Sequence, residues 1–301
     1  MYPEPQLFER RQAYSPPTPP PERPPRSFGR GIPGLRRILA FRDEIRRRLA
    51  AASALEGRPP EHFGFSLATA TRLFMVTGFF YRHYFRVECH GIEALPTGPI
   101  LLVANHGSHS LSWDGAMIVT AGLLATDPPR LVHGMADHRL MELPILGAAA
   151  RRIGAVDGTR PACASLLRAG AVVLTFPEGV RALSRPFRDR YRLCRFGQGF
   201  MHVALATRTP IVPVAVIGCE EEAPLLANPP WLARLLRTPT APITPTLFVP
   251  LPVKYRIHFG APLYFRHSAT PHAVARSVDQ VHSALQGLID TGLALRPRLF
   301  F

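Results

Sequence analysis

Pro99-Ile100-Leu101-Leu102-Val103-Ala104 is a continuous apolar run, and Asn105-His106-Gly107-Ser108-His109-Ser110-Leu111-Ser112-Trp113-Asp114-Gly115 follows it directly. A short run with no polar alternation reads as a strand buried on both faces. Ala171 to Phe176, Ile211 to Ile217 and Tyr255 to Phe259 are read as further strands. Helical spacing lies between them, around Ala116 to Leu124, Ala162 to Ala169 and Gly199 to Thr207, and an amphipathic helix over Pro271 to Leu295 closes the chain. Strands alternating with helices predict an α/β fold: an αβα sandwich around a mixed, largely parallel sheet.

Working outward from that core, three segments are expected. Residues 1–34 hold ten prolines and almost no aliphatic side chains. Such a segment cannot bury enough apolar area to offset its ordering entropy, which predicts a disordered proline/arginine-rich tail. Over residues 35–90, amphipathic and interfacial helices are expected. Leu35, Ile38, Leu39, Ile45, Leu49 and Leu55 recur at helical spacing, with Arg36, Arg37, Arg42, Arg46, Arg47 and Arg48 between them. Leucine opposite arginine suits either a surface helix packed on the domain or one lying on anionic headgroups. The apolar window from Phe63 to Phe85, interrupted by Thr69, Thr71, Arg72 and Thr77, reads as an interfacial or half-inserted helix, with a single membrane span as the lesser reading. Residues 91–301 form the third unit, which carries the chemistry.

The 301 residues are 47% hydrophobic, which excludes a wholly disordered chain, and carry 36 basic against 21 acidic side chains for a net charge of +15. Lys254 is the only lysine, so the surplus is arginine, the residue suited to gripping carboxylate or phosphate in a fixed fork. Anionic partners follow: nucleic acid, an acidic membrane surface or phosphorylated small molecules. No zinc-finger spacing or RNA-recognition motif is present, which disfavours nucleic acid. The scattered Cys89, Cys163, Cys194 and Cys219 give no disulfide scaffold and read as reduced thiols of a cytosolic compartment. No Gly-x-Ser-x-Gly elbow, Walker loop or metal-ligand spacing stands out, so neither cofactor nor metal is expected.

In open α/β sheets, ligands bind just past the carboxyl ends of strands. The first such loop offers His106, His109 and Asp114. A histidine can deprotonate a hydroxyl when a carboxylate fixes its tautomer. Five residues on, Asp114 has the better spacing from His109, while His106 stands immediately after the strand. Phe176-Pro177-Glu178-Gly179-Val180-Arg181 ends another run, and such a turn can offer amides and Arg181 to an anion.

These pieces, in this order, resemble the glycerolipid acyltransferase family of lysophospholipid acyltransferase-like proteins. Four blocks between about Phe85 and Phe265 carry the likeness: Asn105 to Asp114; Ile153-Gly154-Ala155-Val156-Asp157-Gly158-Thr159-Arg160; Phe176 to Arg181; and Pro210-Ile211-Val212-Pro213-Val214-Ala215. The resemblance implies acyl transfer from acyl-CoA or acyl carrier protein to a glycerolipid hydroxyl, at the cytoplasmic face of a membrane. Histidine is then the general base, Asp114 its orienter, and Asn105, Gly154, Arg160, Glu178, Gly179 and Arg181 the substrate-binding set.

One departure matters. In most of the family a single histidine both follows asparagine and precedes aspartate by a fixed interval, whereas here those properties are split between His106 and His109. Spacing favours His109; a longer glycine-containing spacer, as in members resembling mono- and diacylglycerol acyltransferases, favours His106. Amides near Gly107 or Gly179 are the expected oxyanion donors. Arg185, Arg188, Arg190, Arg192 and Arg195 form either a steering patch or a solvated basic face. Trp113 suits an acyl channel wall or the core, and Trp231 a membrane interface or a packed helix. Two other readings stay open: acylation of mono- or diacylglycerol, and a non-catalytic lipid-binding protein.

Overall fold

The computed structural model describes residues 33–55, 66–109, 112–142, 147–148, 151, 155–236, 241–246, 249–266 and 270–296. The tail read over residues 1–34 lies almost wholly outside them, as does Gly154.

Among the described residues seven strands form one sheet: β1 (Glu88–His90), β2 (Ile100–Ala104), β3 (Val132–Ala136), β4 (Val156–Asp157), β5 (Val172–Thr175), β6 (Ile211–Ile217) and β7 (Arg256–Phe259). Their spatial order is β1-β7-β6-β2-β5-β3-β4. All neighbouring pairs are parallel except β6 with β7, so the expected mixed, largely parallel sheet is what the chain forms. β2 and β6 are buried along their whole length, as runs without alternation require.

Two helices start on threonine caps that take up a free amide. Thr159 accepts from Ala162 at the head of Arg160–Arg168, and Thr270 accepts from Ala273 at the head of Pro271–Leu295. The second helix turns Val274, Val278, Val281, Leu285 and Ile289 inward at steps of three and four, and packs on β6. Gly199–Thr207 and Trp113–Leu124 are also helical.

The amino-terminal helices form a smaller core. α1 (Pro33–Leu55) crosses α2 (Leu67–Phe79), burying Ile45, Leu49, Ala52, Ala70 and Phe74 against Leu123 and Leu131. At the crossing a Cβ on Gly78 would lie 2.6 Å from the Phe41 ring, so a larger residue there would require that ring to move. Arg82 and Glu44 tie them through two hydrogen bonds, of 2.9 and 2.6 Å. α1 is divided along its length. Ile45 and Leu49 pack on the domain, while Leu35, Ile38, Leu39 and Leu55 stay exposed. α2 continues as a π-helical turn over Phe80–Tyr84. No helix among the described residues is long and apolar enough to cross a membrane.

β2 lies between β5 and β6, both parallel to it; the chain leaves β2 for β3 on the β5 side and later crosses from β5 to β6 on the other. The crevice of such a sheet opens at this point, at the carboxyl ends of β2, β5 and β6.

Candidate active site

Asn105 is the last piece of the fold and the first of the site. Its amide donates to the Val216 carbonyl (3.1 Å) and accepts from the Val216 amide (2.8 Å), clamping the end of β2 to β6. The side chain is wholly buried and holds the start of the loop.

The loop then folds around one carboxylate. Asp114 Oδ2 lies 2.7 Å from His106 Nδ1 and accepts the amides of Gly107 (2.9 Å) and Ser108 (3.1 Å). Burial works to raise the Asp114 carboxyl, but His106 and the two loop amides outweigh it and hold it below the usual range. A carboxylate only accepts, so Nδ1 carries the proton and Nε2 is left with the lone pair. Burial works to lower the His106 imidazole, and the charge and hydrogen bond of Asp114 more than reverse it, leaving its pKa raised. The ring stacks on Phe176, centroids 4.5 Å apart.

His109, which spacing favoured, does not reach Asp114. It is buried, and burial followed by the neighbouring charge of His106 pushes it down to about 4, against a smaller opposing contribution from the Ala223 backbone. The physical reason is the path of the loop. Asp114 sits in the first turn of its helix with Oδ2 turned back on the amides of residues 107 and 108, and that brings the ring of residue 106 alongside.

The Pro-Glu-Gly turn supports this loop from behind. Glu178 is wholly buried: Oε1 accepts the His106 amide (3.2 Å), and Oε2 accepts Arg185 and the Cys194 amide. Glu178 thus braces the loop through both of its oxygens. Gly179 takes the left-handed conformation the turn demands, at φ 60°. The Gly107 amide serves Asp114 and the Gly179 amide serves the Phe176 carbonyl, so both expected oxyanion donors are engaged. Arg181 is exposed and donates to the Arg195 carbonyl (2.9 Å). Arg160, also exposed, lines a pocket of about 240 Å³ with Thr159, Gly197 and Phe200.

Sequence reasoning missed the third loop. Glu220, Glu221 and Glu222 follow β6 and are all buried. Arg185, grouped above with the basic surface, is buried too and bridges Glu178 to Glu220, 2.6 Å from the latter. Tyr191 and Arg296 bind Glu221. Ser108 donates to Glu222 (2.5 Å) while accepting the Trp113 amide (3.0 Å), which secures the start of the Asp114 helix. A Cβ at Gly107 would come within 2.3 Å of Glu220 Cγ, so the extra glycine of the spacer is what lets the two loops close. Three consecutive glutamates read as solvated; their position after a buried strand was the one available signal.

Beside His106 opens a cavity of about 430 Å³. Leu73, Phe74, Val119, Leu174 and Phe176 are among its walls, and Val180 and Leu183 stand on the turn at its side. Trp113 is not one of its lining residues; it stacks on Phe80 with centroids 4.3 Å apart, in the core.

The sequence model of the family described as Acyltransferase matches residues 86–217. An uncharacterised protein of Mycobacterium leprae is 39% identical over 237 residues, covering 74% of this chain and 64% of that protein. The chain thus spans just under two thirds of that relative's length. A Gallus gallus protein named DGAT1/2-independent enzyme synthesizing storage lipids is 29% identical, over 67% of this chain and 58% of its own. The crystal structure of the 1-acyl-sn-glycerophosphate acyltransferase PlsC from Thermotoga maritima aligns at a TM-score of 0.49 and 16% identity, covering 87% of this chain and 98% of that one.

Proposed function

Because the chain belongs to the glycerolipid acyltransferase family, we propose that it moves a fatty acyl group from a thioester donor, acyl-CoA or acyl carrier protein, to the hydroxyl of a glycerolipid acceptor. The observation that carries this reading is the His106–Asp114 pair, 2.7 Å apart and opening on the apolar cavity. His106 Nε2 takes the acceptor proton as the hydroxyl oxygen attacks the thioester carbonyl. Asp114 stabilises the imidazolium that results, and the proton leaves with the thiolate as free thiol. The cavity holds the acyl chain, keeping water from the thioester.

Arg160 supports a phosphate-bearing acceptor such as a lysophospholipid, since its pocket meets the acyl cavity at Met135. A neutral acceptor, mono- or diacylglycerol, is the second reading, favoured by the storage-lipid relatives and by the engagement of Arg181 with Arg195. The exposed apolar face of α1 among its arginines supports work at a membrane surface, on the cytoplasmic side.

Acceptor-dependent release of thiol from acyl-CoA, with product mass analysis over a panel of lysolipids and diacylglycerols, tests the proposal. His106→Ala should lose two to four powers of ten in rate, the usual worth of a general base. Full activity in that variant, or no release with any acceptor in the parent protein, would overturn it, the latter in favour of a lipid-binding role. Competition by glycerol 3-phosphate separates the two acceptor classes.

A further inference from the structure

Between β6 and β7 the chain makes an excursion that the sheet does not need. It doubles back on itself through the Ile243–Ala227 bridge and the Leu251 amide, which donates to the Glu222 carbonyl. On it sits a short helix, Pro230–Leu236. Ala233 is its buried foot, and Trp231, Arg234 and Leu235, at steps of three and four, form its outer face. Trp231 is 64% exposed and Leu235 71%, with Leu226 and Val249 on the same flap at 67% and 65%. A single exposed apolar residue is ordinary; four large ones on one small flap mark a contact surface.

The position of the flap says what it meets. It is stitched to both walls of the acyl cavity. Asn228 donates to Ser184 (3.0 Å), at the end of the turn whose Val180 and Leu183 line the cavity. Tyr84, in the π-turn that continues the cavity helix α2, donates to the Pro250 carbonyl (2.6 Å). Val76 and Phe79 on α2 are exposed as well, each at 52%. Tryptophan, leucine and arginine on one face is the combination that settles at a headgroup boundary, the indole and the leucine below and the guanidinium on phosphate. The net charge of +15 favours an acidic bilayer and opposes a second copy of the chain.

We propose that this flap seats on an anionic lipid bilayer, Trp231 and Leu235 entering the headgroup boundary and Arg234 binding lipid phosphate. The cavity walls then border the bilayer, and lipid passes between the two without crossing water. The seating stands on exposure and chemistry alone; its effect on turnover rests on the acyltransferase reading above.

The chain has only two tryptophans, and Trp113 is buried in the core, so emission reports the flap directly. Vesicles of phosphatidylcholine with 30% phosphatidylglycerol, brominated near the headgroup, are mixed with the full chain. Bromine should quench the emission, and Trp231→Phe should abolish most of that quenching while leaving vesicle binding intact. In Trp231→Glu/Leu235→Glu, turnover of acceptor held in those vesicles should fall at least tenfold, with turnover of short-chain dispersed acceptor unchanged. Vesicle binding without quenching of Trp231 overturns the proposal, as does equal activity of the double variant on both acceptors. So does sedimentation showing a lipid-free dimer with Trp231 shielded from iodide. Loss of turnover on dispersed acceptor in the parent protein would instead count against the acyltransferase reading, leaving the quenching result to stand by itself.

Discussion

The two ends of the sheet carry cavities of similar size and different character. At the amino ends of β2, β3 and β5, residues such as Ile92, Leu95, Leu131 and Val172 surround about 530 Å³. Among the described residues no histidine, serine or cysteine lines it. Thr126 returns its hydroxyl to its own helix at Gly122, and Arg130 spans the Pro96 and Gly98 carbonyls. The smaller cavity at the carboxyl ends, about 430 Å³, adjoins a cluster of buried polar groups: His106, Asp114, Glu178, Arg185 and the three glutamates after β6. Burying so many ionisable groups is costly unless each is paired. Volume does not distinguish the ends; the cost of desolvated charge does, and a protein bears that cost where chemistry or its support is located.

The sharpest way to break this contrast is at Asp114. In Asp114→Asn the amide cannot match both oxygens at once, since one accepts three N–H groups and the other the Gly115 amide. Steady-state rates should fall by roughly two to three powers of ten, against less than twofold for Ala125→Phe at the rim of the amino-end cavity. Comparable losses in both variants would erase the difference between the ends.

Next in size is the buried guanidinium. Arg185→Met leaves Glu178 and Glu220 facing each other without a cation, and should lower unfolding stability by about 3–5 kcal/mol in a urea titration. Exposed Arg181→Ala should stay within about 0.5 kcal/mol of the parent. The two arginines lie four residues apart, so the pair measures what burial alone does to one side-chain type.

A smaller effect separates the histidines. His109 is buried and does not bond Asp114, so His109→Leu should change stability by no more than about 1 kcal/mol and reduce turnover less than tenfold. The pH dependence sharpens the assignment further. The base must be neutral to act, and Asp114 holds His106 above the ordinary histidine value of 6.5, so kcat/KM should rise with pH through a midpoint above 6.5. The same limb should move to lower pH in Asp114→Asn. A midpoint near 4 in the parent would transfer the role to His109.

Much of this arrangement was legible before any coordinates. The apolar runs at residues 100–104 and 211–217 announce their strands because burial on both faces leaves no polar position, 172–175 departs from that only at Thr175, and in 256–259 Arg256 and His258 alternate with Ile257 and Phe259. β3 escaped because Val132-His133-Gly134-Met135-Ala136 breaks its apolar character at two places, and β4 because two residues carry no period. Asp114 and the Pro-Glu-Gly turn were found by their place after strands. Which histidine meets the carboxylate was not readable by counting, because the answer depends on how the backbone returns to Asp114 through residues 107 and 108. The loop-bracing bonds of Asn105 and Glu178 were not readable for a related reason: a polar residue beside a site looks the same in sequence whether it touches a ligand or holds a loop.

Gly107 leads beyond this one chain. Its α-carbon faces Glu220 so closely that a methyl group there would strike the glutamate stem. The two positions lie on different loops more than a hundred residues apart, yet neither can gain bulk alone. Among descendants of a common ancestor they should therefore drift in tandem: wherever residue 107 has acquired a side chain, the partner at 220 should have become shorter or the loop after β6 reshaped, a correlated history that an alignment deep enough to resolve it will record.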